Sequence, residues 1–253
     1  MERLSHVTKL LGCCVNLCSG MTSEMMRRSS AILREPVRTR DSQLQIKSED
    51  LTCTPIFIIG MPRSGTTLLE QMLSCRSDIY AGGELSLMRT LAGPLSKDSR
   101  LVTACSLEDV RRKYLSSINR LAKAEPYLTD KMPQNFLYLP VILSALPEAK
   151  IVHIRRDPAA TCWSNFKQYF GVGGMAYSYS MDDTIAYFHL YEDLMSFWEM
   201  LYPDRIIHQG YEELTKDFES NSRVLTEKLG LYWDSAILRP HENPRAVRTA
   251  PQN

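Results

Sequence analysis

The segment Pro55-Ile-Phe-Ile-Ile-Gly60-Met-Pro-Arg-Ser-Gly65-Thr66-Thr67-Leu-Leu-Glu-Gln71 constrains the fold more than any other part of the chain. An apolar strand runs into a tight glycine turn and then directly into an amphipathic helix, the pattern of a phosphate-binding loop. Two glycines let backbone N–H groups crowd around an anion, and the helix that begins near Gly65 adds its unpaired N–H groups and positive dipole end. The spacing from Gly60 to Gly65 matches the nucleotide-binding form, but Thr66 stands where that form carries a lysine. Arg63 is the only cation in the loop. Its planar fork suits a terminal oxyanion, whereas loops that hydrolyse nucleoside triphosphates place a lysine on the outer phosphates and a hydroxyl on magnesium. A phosphate ligand is therefore expected, without ordinary ATP chemistry. The hydroxyls of Ser64, Thr66 and Thr67 suit phosphate oxygens, and they suit capping of the helix equally well.

The rest of the chain bounds this reading. At 253 residues, 44% hydrophobic and 23% charged, it has the composition of a soluble globule. A net charge of +1 gives no reason to expect nucleic acid or an anionic membrane as a general partner, so any basic site must be local. Seven cysteines without C-x-x-C spacing argue against zinc and against a disulfide framework, and a cytoplasmic protein with reduced thiols is expected. The apolar stretch Leu10 to Cys18 is too short to span a bilayer and makes a poor signal core. Residues 1–50 are read as a helical segment, Leu4 to Leu33, followed by a linker from Arg34 to Thr54; residues 51–253 form the second unit.

From Pro55 onward strand and helix signals alternate. Strands are expected at Ile56 to Ile59, Tyr127 to Thr129, Lys150 to Ile154 and Arg205 to Gln209. Between them, Ser106 opens a capping-box-like Ser-Leu-Glu-Asp, and Asp182 can cap a helix whose inward stripe is Tyr187, Leu190, Leu194, Phe197 and Leu201. A third helix carries Phe218, Leu225 and Leu229 and stops at Gly230. Such alternation predicts an α/β, three-layer sandwich of P-loop type, with a mostly parallel central sheet and helices on both faces. Ligands gather at the carboxyl ends of its strands.

Residues just past those ends carry the chemistry. After the third expected strand comes Arg155-Arg156-Asp157-Pro158, with Pro158 in a first helical turn and Ser164 further along the helix. The arginines stand at a helix entrance that favours an anion, or are simply a solvated basic pair. Three histidines, His153, His189 and His208, lie within regular elements without metal-ligand spacing and are read as structural, so no metal is expected.

Two anion motifs at one sheet edge fit a nucleotide with phosphates at both ends, and here the chain resembles the sulfotransferases that depend on 3′-phosphoadenylyl sulfate. Gly60-Met-Pro-Arg-Ser-Gly-Thr-Thr67 resembles that family's 5′-phosphosulfate loop, and Arg156 with Ser164 resembles its 3′-phosphate motif. The branch that includes tyrosylprotein sulfotransferases and bacterial sulfotransferases fused to tetratricopeptide repeats is the most similar. The likeness rests on Gly82-Gly-Glu84, Thr129-Asp-Lys-Met-Pro-Gln-Asn135 and His241-Glu-Asn-Pro-Arg-Ala-Val-Arg-Thr249.

The resemblance implies 3′-phosphoadenylyl sulfate as sulfuryl donor and a hydroxyl acceptor, whether a peptide tyrosine, a carbohydrate or a small molecule. It implies Glu84 as general base, in a closed site that raises its pKa, against a competing reading as a first-turn charge of a following helix. Lys131 and Arg63 would stabilise the transferring group, though Lys131 also reads as a surface lysine paired with Asp130. Tyr211 would contact the cofactor, or pack as a core aromatic. The acceptor groove would be built from Leu87 to Arg100 and Phe170 to Ser180, with Gly171 to Gly174 as a flap. The arginine- and glutamine-bearing stretch that closes such sites is not seen before Asn253, so a shortened carboxyl end is expected. Two other readings stay open: a related protein that binds the nucleotide without turnover, and a kinase or NTPase sharing the loop.

Overall fold

The computed structural model describes residues 52–97, 101–170 and 175–242. The expected amino-terminal helical segment, the glycine flap and most of the His241 to Thr249 motif lie outside these residues. Among the described residues five strands form one sheet: β1 (Thr54–Ile59), β2 (Ile79–Ala81), β3 (Tyr127–Asp130), β4 (Lys150–Arg155) and β5 (Ile206–Gly210). Their order is β2-β3-β1-β4-β5 and every pairing is parallel. Each expected strand is present within two residues of its place. The expected linker ends earlier than Thr54, because that residue already pairs with Tyr127. β2 escaped sequence reading because Ile-Tyr-Ala is too short to show a period of two.

Among the described residues eight α-helices cover the sheet: α1 (Thr66–Leu73), α2 (Leu87–Ala92), α3 (Ala104–Leu121), α4 (Leu139–Ala145), α5 (Pro158–Phe166), α6 (Met181–Leu201), α7 (Tyr211–Lys216) and α8 (Phe218–Lys228). The central strand β1 is apolar at every position from 55 to 59 because it is buried on both faces. Phe57 and Ile59 enter a core built with α3, α4 and α6. Ile56 and Ile58 enter a second core built with α1 and α8. Two cores on opposite faces make the three-layer sandwich.

Helix ends show where local signals sufficed. Gly230, at φ +64°, ends α8 with the paired bonds Gly230 N–H to Glu227 O at 2.8 Å and Leu231 N–H to Thr226 O at 2.9 Å. Two starts differ from expectation. Thr103, not Ser106, caps α3, with Ser106 returning the bond as the third helical residue. Ser180, not Asp182, caps α6, leaving Asp182 and Asp183 in its first turn. Serine and aspartate suit either position, so composition alone does not choose between them. Of the expected α6 stripe, Tyr187, Leu190 and Leu194 are buried, Phe197 is partly buried and Leu201 is 42% exposed at the helix end, while Tyr191 and Trp198 join the buried face. The segment expected as loop from Leu87 contains α2 and a 3-10 turn at Leu95–Lys97, and Ala176–Tyr179 is another such turn. Among the described residues no helix is long and apolar enough to cross a membrane. Cys53, Cys105 and Cys162 are free thiols.

One polar group sits deep in this framework. The Asp130 carboxyl, fully buried at the end of β3, receives the Tyr114 hydroxyl at 2.9 Å and the Asn135 amide at 3.2 Å. Burial outweighs both bonds and pushes its pKa up to about 8.

Two expectations follow from the core. Ile58 is wholly buried, so Ile58→Ala should lower the free energy of unfolding by about 2–5 kcal/mol, read as an earlier urea midpoint with unchanged slope. The second concerns pH. The folded chain keeps a proton on Asp130 that an ordinary unfolded carboxyl has released, so this contribution is lost as pH rises toward about 8. Burial holds His153 and His208 below the usual imidazole range, which makes stability fall in the opposite direction, toward acid, below about pH 6.5. Between those ranges stability should decline with rising pH, by up to about 1.4 kcal/mol per unit. Asp130→Asn should flatten that slope in denaturant titrations at pH 6.5, 7.2 and 8, and an unchanged slope would rule out this group as its origin.

Candidate active site

The glycine loop closes the carboxyl end of β1. Gly60 and Gly65 have φ of +153° and +102°, and Arg63, a non-glycine, has φ of +69°. Close approach also restricts both glycines: a Cβ at Gly60 would lie 2.6 Å from the Ile154 carbonyl oxygen, and one at Gly65 would lie 2.3 Å from the Tyr211 ring. Gly65 is the N-cap of α1, and no side chain caps it. The capping alternative for Ser64, Thr66 and Thr67 is therefore not what the helix start uses. Ser64 is 1% exposed, and its hydroxyl oxygen has no hydrogen-bond partner. A buried hydroxyl beside an uncapped helix start fits an anion oxygen.

The second anion motif joins the first by direct contact. Arg63 Nε donates to Ser164 Oγ at 3.1 Å, and Arg156 Nη1 donates to the Arg63 carbonyl at 2.9 Å. Asn165, which sequence reading missed, donates its amide to the Pro62 carbonyl at 2.7 Å. It occupies the α5 face toward the loop, next to Ser164. The Arg156 guanidinium lies 4.8 Å from the centre of the Tyr211 ring, and its buried Nε has no partner. Arg63, Arg156, Ser164 and Tyr211 thus converge with Gly65, as the parallel pairing of β1 with β4 requires. The helix entrance itself differs from expectation. Asp157 caps α5 through Ala160 N–H at 2.7 Å, so its own carboxylate takes the anion position there and Arg156 turns to the loop.

A second set gathers where β3 ends. Lys131 Nζ and Glu84 Oε1 form an ion pair at 2.6 Å, with the lysine side chain 3% and the glutamate side chain 49% exposed. Lys131 therefore pairs with Glu84 rather than Asp130. A nearly buried ammonium requires such a partner. Glu84 stands outside any helix, since α2 begins at Leu87 with Ser86 as its N-cap; the closed surroundings expected for it are replaced by a half-exposed turn. That turn depends on Glu70 of α1, whose Oε1 accepts from Gly83 N–H at 2.8 Å and from the Thr129 hydroxyl at 2.9 Å. Gly82 is needed because a Cβ there would sit 2.4 Å from the Thr129 carbonyl oxygen, and Gly83 has φ of +71°. The Gly60 N–H donates to the Pro133 carbonyl at 3.2 Å, which ties the segment after Lys131 to the glycine loop. Glu70 left only a faint sequence signal, a carboxylate on the face of α1 that packs inward.

Beside the loop an open cavity of about 270 Å³ is lined by Met61, Ser64, Arg155, Arg156, Thr161 and Tyr191, among others. His153 also lines it, and the structure brings this residue to His208, with ring nitrogens 3.1 Å apart. Fifty-five residues of separation hid this contact from linear spacing. His189 stays apart on the exposed side of α6, near Glu192.

Comparison with known proteins places this arrangement. A relative from Aquifex aeolicus (strain VF5), itself uncharacterized, is 31% identical over 217 residues, covering 78% of this chain and 28% of that protein. The protein-tyrosine sulfotransferase of Drosophila melanogaster is 25% identical over 226 residues, covering 85% of this chain and 45% of that enzyme. The chain thus spans less than half the length of either relative. The sulfotransferase domain from the curacin biosynthetic pathway superposes with a TM-score of 0.54 at 19% identity over 75% of this chain and 78% of that one, a likeness of fold. The sulfotransferase family model matches residues 55–235, the span that holds the sheet, the glycine loop and every residue of the site described above, and the chain belongs to that family.

Proposed function

We propose that this chain moves a sulfuryl group from 3′-phosphoadenylyl sulfate to a hydroxyl acceptor. The observation that carries the reading is the direct joining of two anion motifs, Arg63 to Ser164 and Arg156 to the Arg63 carbonyl, around an uncapped helix start. A donor with phosphate at both ends of an adenosine uses both motifs, whereas a nucleoside triphosphate needs only one. The buried Ser64 hydroxyl and Arg156 Nε, which find no partner in the chain, fit its phosphate oxygens. Tyr211, stacked beneath Arg156, offers an aromatic face to the adenine or holds the arginine flat.

The chain's own groups supply the chemistry. Glu84 takes the proton from the acceptor hydroxyl as its oxygen bonds to sulfur, and the sulfur–phosphate oxygen bond breaks. Lys131, held 2.6 Å from Glu84, and Arg63 set positive charge against the sulfuryl oxygens and the phosphate that departs. The half-exposed position of Glu84 leaves room for an incoming hydroxyl, and the Glu70 bonds to Gly83 and Thr129 keep its turn in place. Peptide tyrosine is the acceptor class we favour, because the Drosophila relative is named a protein-tyrosine sulfotransferase. The donor is held without metal in this scheme, since arginine and lysine neutralise the leaving group.

Calorimetric titration with adenosine 3′,5′-bisphosphate tests the donor site. Arg63→Ala and Arg156→Ala should each weaken binding by about tenfold or more, the scale of a lost charged hydrogen bond, with circular dichroism unchanged. Tighter binding of ATP with magnesium than of the bisphosphate would favour a kinase or NTPase instead. For the transfer step, Glu84→Gln should reduce turnover on a tyrosine-containing peptide by roughly 10²-fold or more. Equal turnover in parent and variant would remove Glu84 as the base. Bisphosphate binding without transfer to any hydroxyl acceptor would support a nucleotide-binding protein that lacks turnover.

A further inference from the structure

We propose that His153 and His208, the latter held by Glu199, form a binding site for a divalent transition-metal ion of the zinc class. It takes no part in the sulfuryl-transfer step, although His153 and Glu199 line the same cavity as Ser64 and Arg156. His153 and His208 occupy matched positions on the neighbouring parallel strands β4 and β5, so their rings leave the same face of the sheet. Their Nδ1 atoms face each other at 3.1 Å. Tetrahedral zinc with nitrogen ligands at about 2.0–2.1 Å sets neighbouring nitrogens about 3.3 Å apart, so the two rings are already spaced as ligands.

The outer ring nitrogens are held as metal-binding histidines require. His208 Nε2 lies 2.7 Å from Glu199 Oε1, and His153 Nε2 bonds the Tyr191 hydroxyl. A carboxylate only accepts, so the proton of neutral His208 sits on Nε2 and its Nδ1 presents a lone pair toward His153. Without an ion, a proton on His153 Nδ1 fills the gap and the Tyr191 hydroxyl donates to Nε2. With an ion between the rings, that proton moves to His153 Nε2 and Tyr191 accepts it; no proton is lost, and a hydroxyl serves either role. Glu199 stays on His208 Nε2, where it fixes the tautomer that frees Nδ1, and solvent from the adjoining open cavity completes the coordination of the ion. Burial keeps both imidazoles neutral near pH 7.

Imidazole nitrogens select zinc, nickel or copper over magnesium and calcium. Arg155 and Lys228 lie close enough to act on His208, and Arg155 acts on His153 as well, positive charge that opposes a bound cation. An ion here would clamp the edge strand β5 to β4. β5 leads into Tyr211, which packs on Gly65, and Tyr191 takes the backbone N–H of Met61 in the glycine loop.

The test is calorimetric titration of the full chain, stripped of metal and with accessible thiols alkylated, using zinc chloride, with melting temperature as a second readout. One zinc per chain at micromolar affinity, a raised melting temperature and no competition from excess magnesium are expected. Glu199→Gln should weaken binding by about 10- to 100-fold, the scale of a lost partner of a ligating histidine. His208→Asn should abolish binding and the thermal shift. Absence of saturable zinc binding to the parent chain, or undiminished binding in both variants, would overturn the site.

Discussion

Burial of β1 on both faces is the constraint on which the rest of the molecule depends. Each inward residue from Pro55 to Ile59 belongs to one of the two cores or lies between them, so the strand has no freedom to slip or turn. A slip by one residue would exchange Phe57 and Ile59 with Ile56 and Ile58 and mismatch both helical layers. The strand therefore delivers Gly60 to one place, against the Ile154 carbonyl, where only a residue without Cβ fits. The rigidity of the core becomes positional accuracy at the loop.

The loop has its own Ser64 N–H to Met61 carbonyl bond at 3.2 Å and is otherwise held from outside by neighbours. α5 contributes Ser164 and Asn165, the segment after β4 contributes Arg156, and α7 contributes the Tyr211 ring against Gly65. On the other side, Glu70 uses one carboxylate oxygen to bind both the Gly83 N–H and the Thr129 hydroxyl. The helix that begins at the anion-binding end thus also sets the turn that carries Glu84. Charged hydrogen bonds within a partly buried setting are strong enough to hold such geometry, and costly to break singly. In the proposed reaction this matters because base, cations and donor must meet within a few ångströms.

Much of this was legible in the residue order. The apolar run, the two glycines and the amphipathic helix identify the loop through strictly local rules, and Pro158 and Gly230 mark a helix start and stop for the same reason. The convergence of Arg63, Arg156, Ser164 and Tyr211 was also legible, since parallel strands bring their following loops to one edge. Glu70 was not, because its partners Gly83 and Thr129 are supplied by β3 and by a turn after β2, a strand too short to leave a pattern. The caps of α3 and α6 were misplaced by two or three positions, since several nearby side chains have equal chemical capacity and the surrounding packing selects among them.

By itself the sequence determined the alternation of strand and helix, the apolar run that marks the central strand for burial on both faces and the chemical character of the loop, all of which are patterns written within a few residues. Only the tertiary structure decided that Lys131 takes Glu84 as its partner and Asp130 is buried with Tyr114, since adjacent residues of an extended chain point opposite ways. It also decided the meeting of His153 with His208, because strand register is set by two whole cores closing together and not by either strand alone.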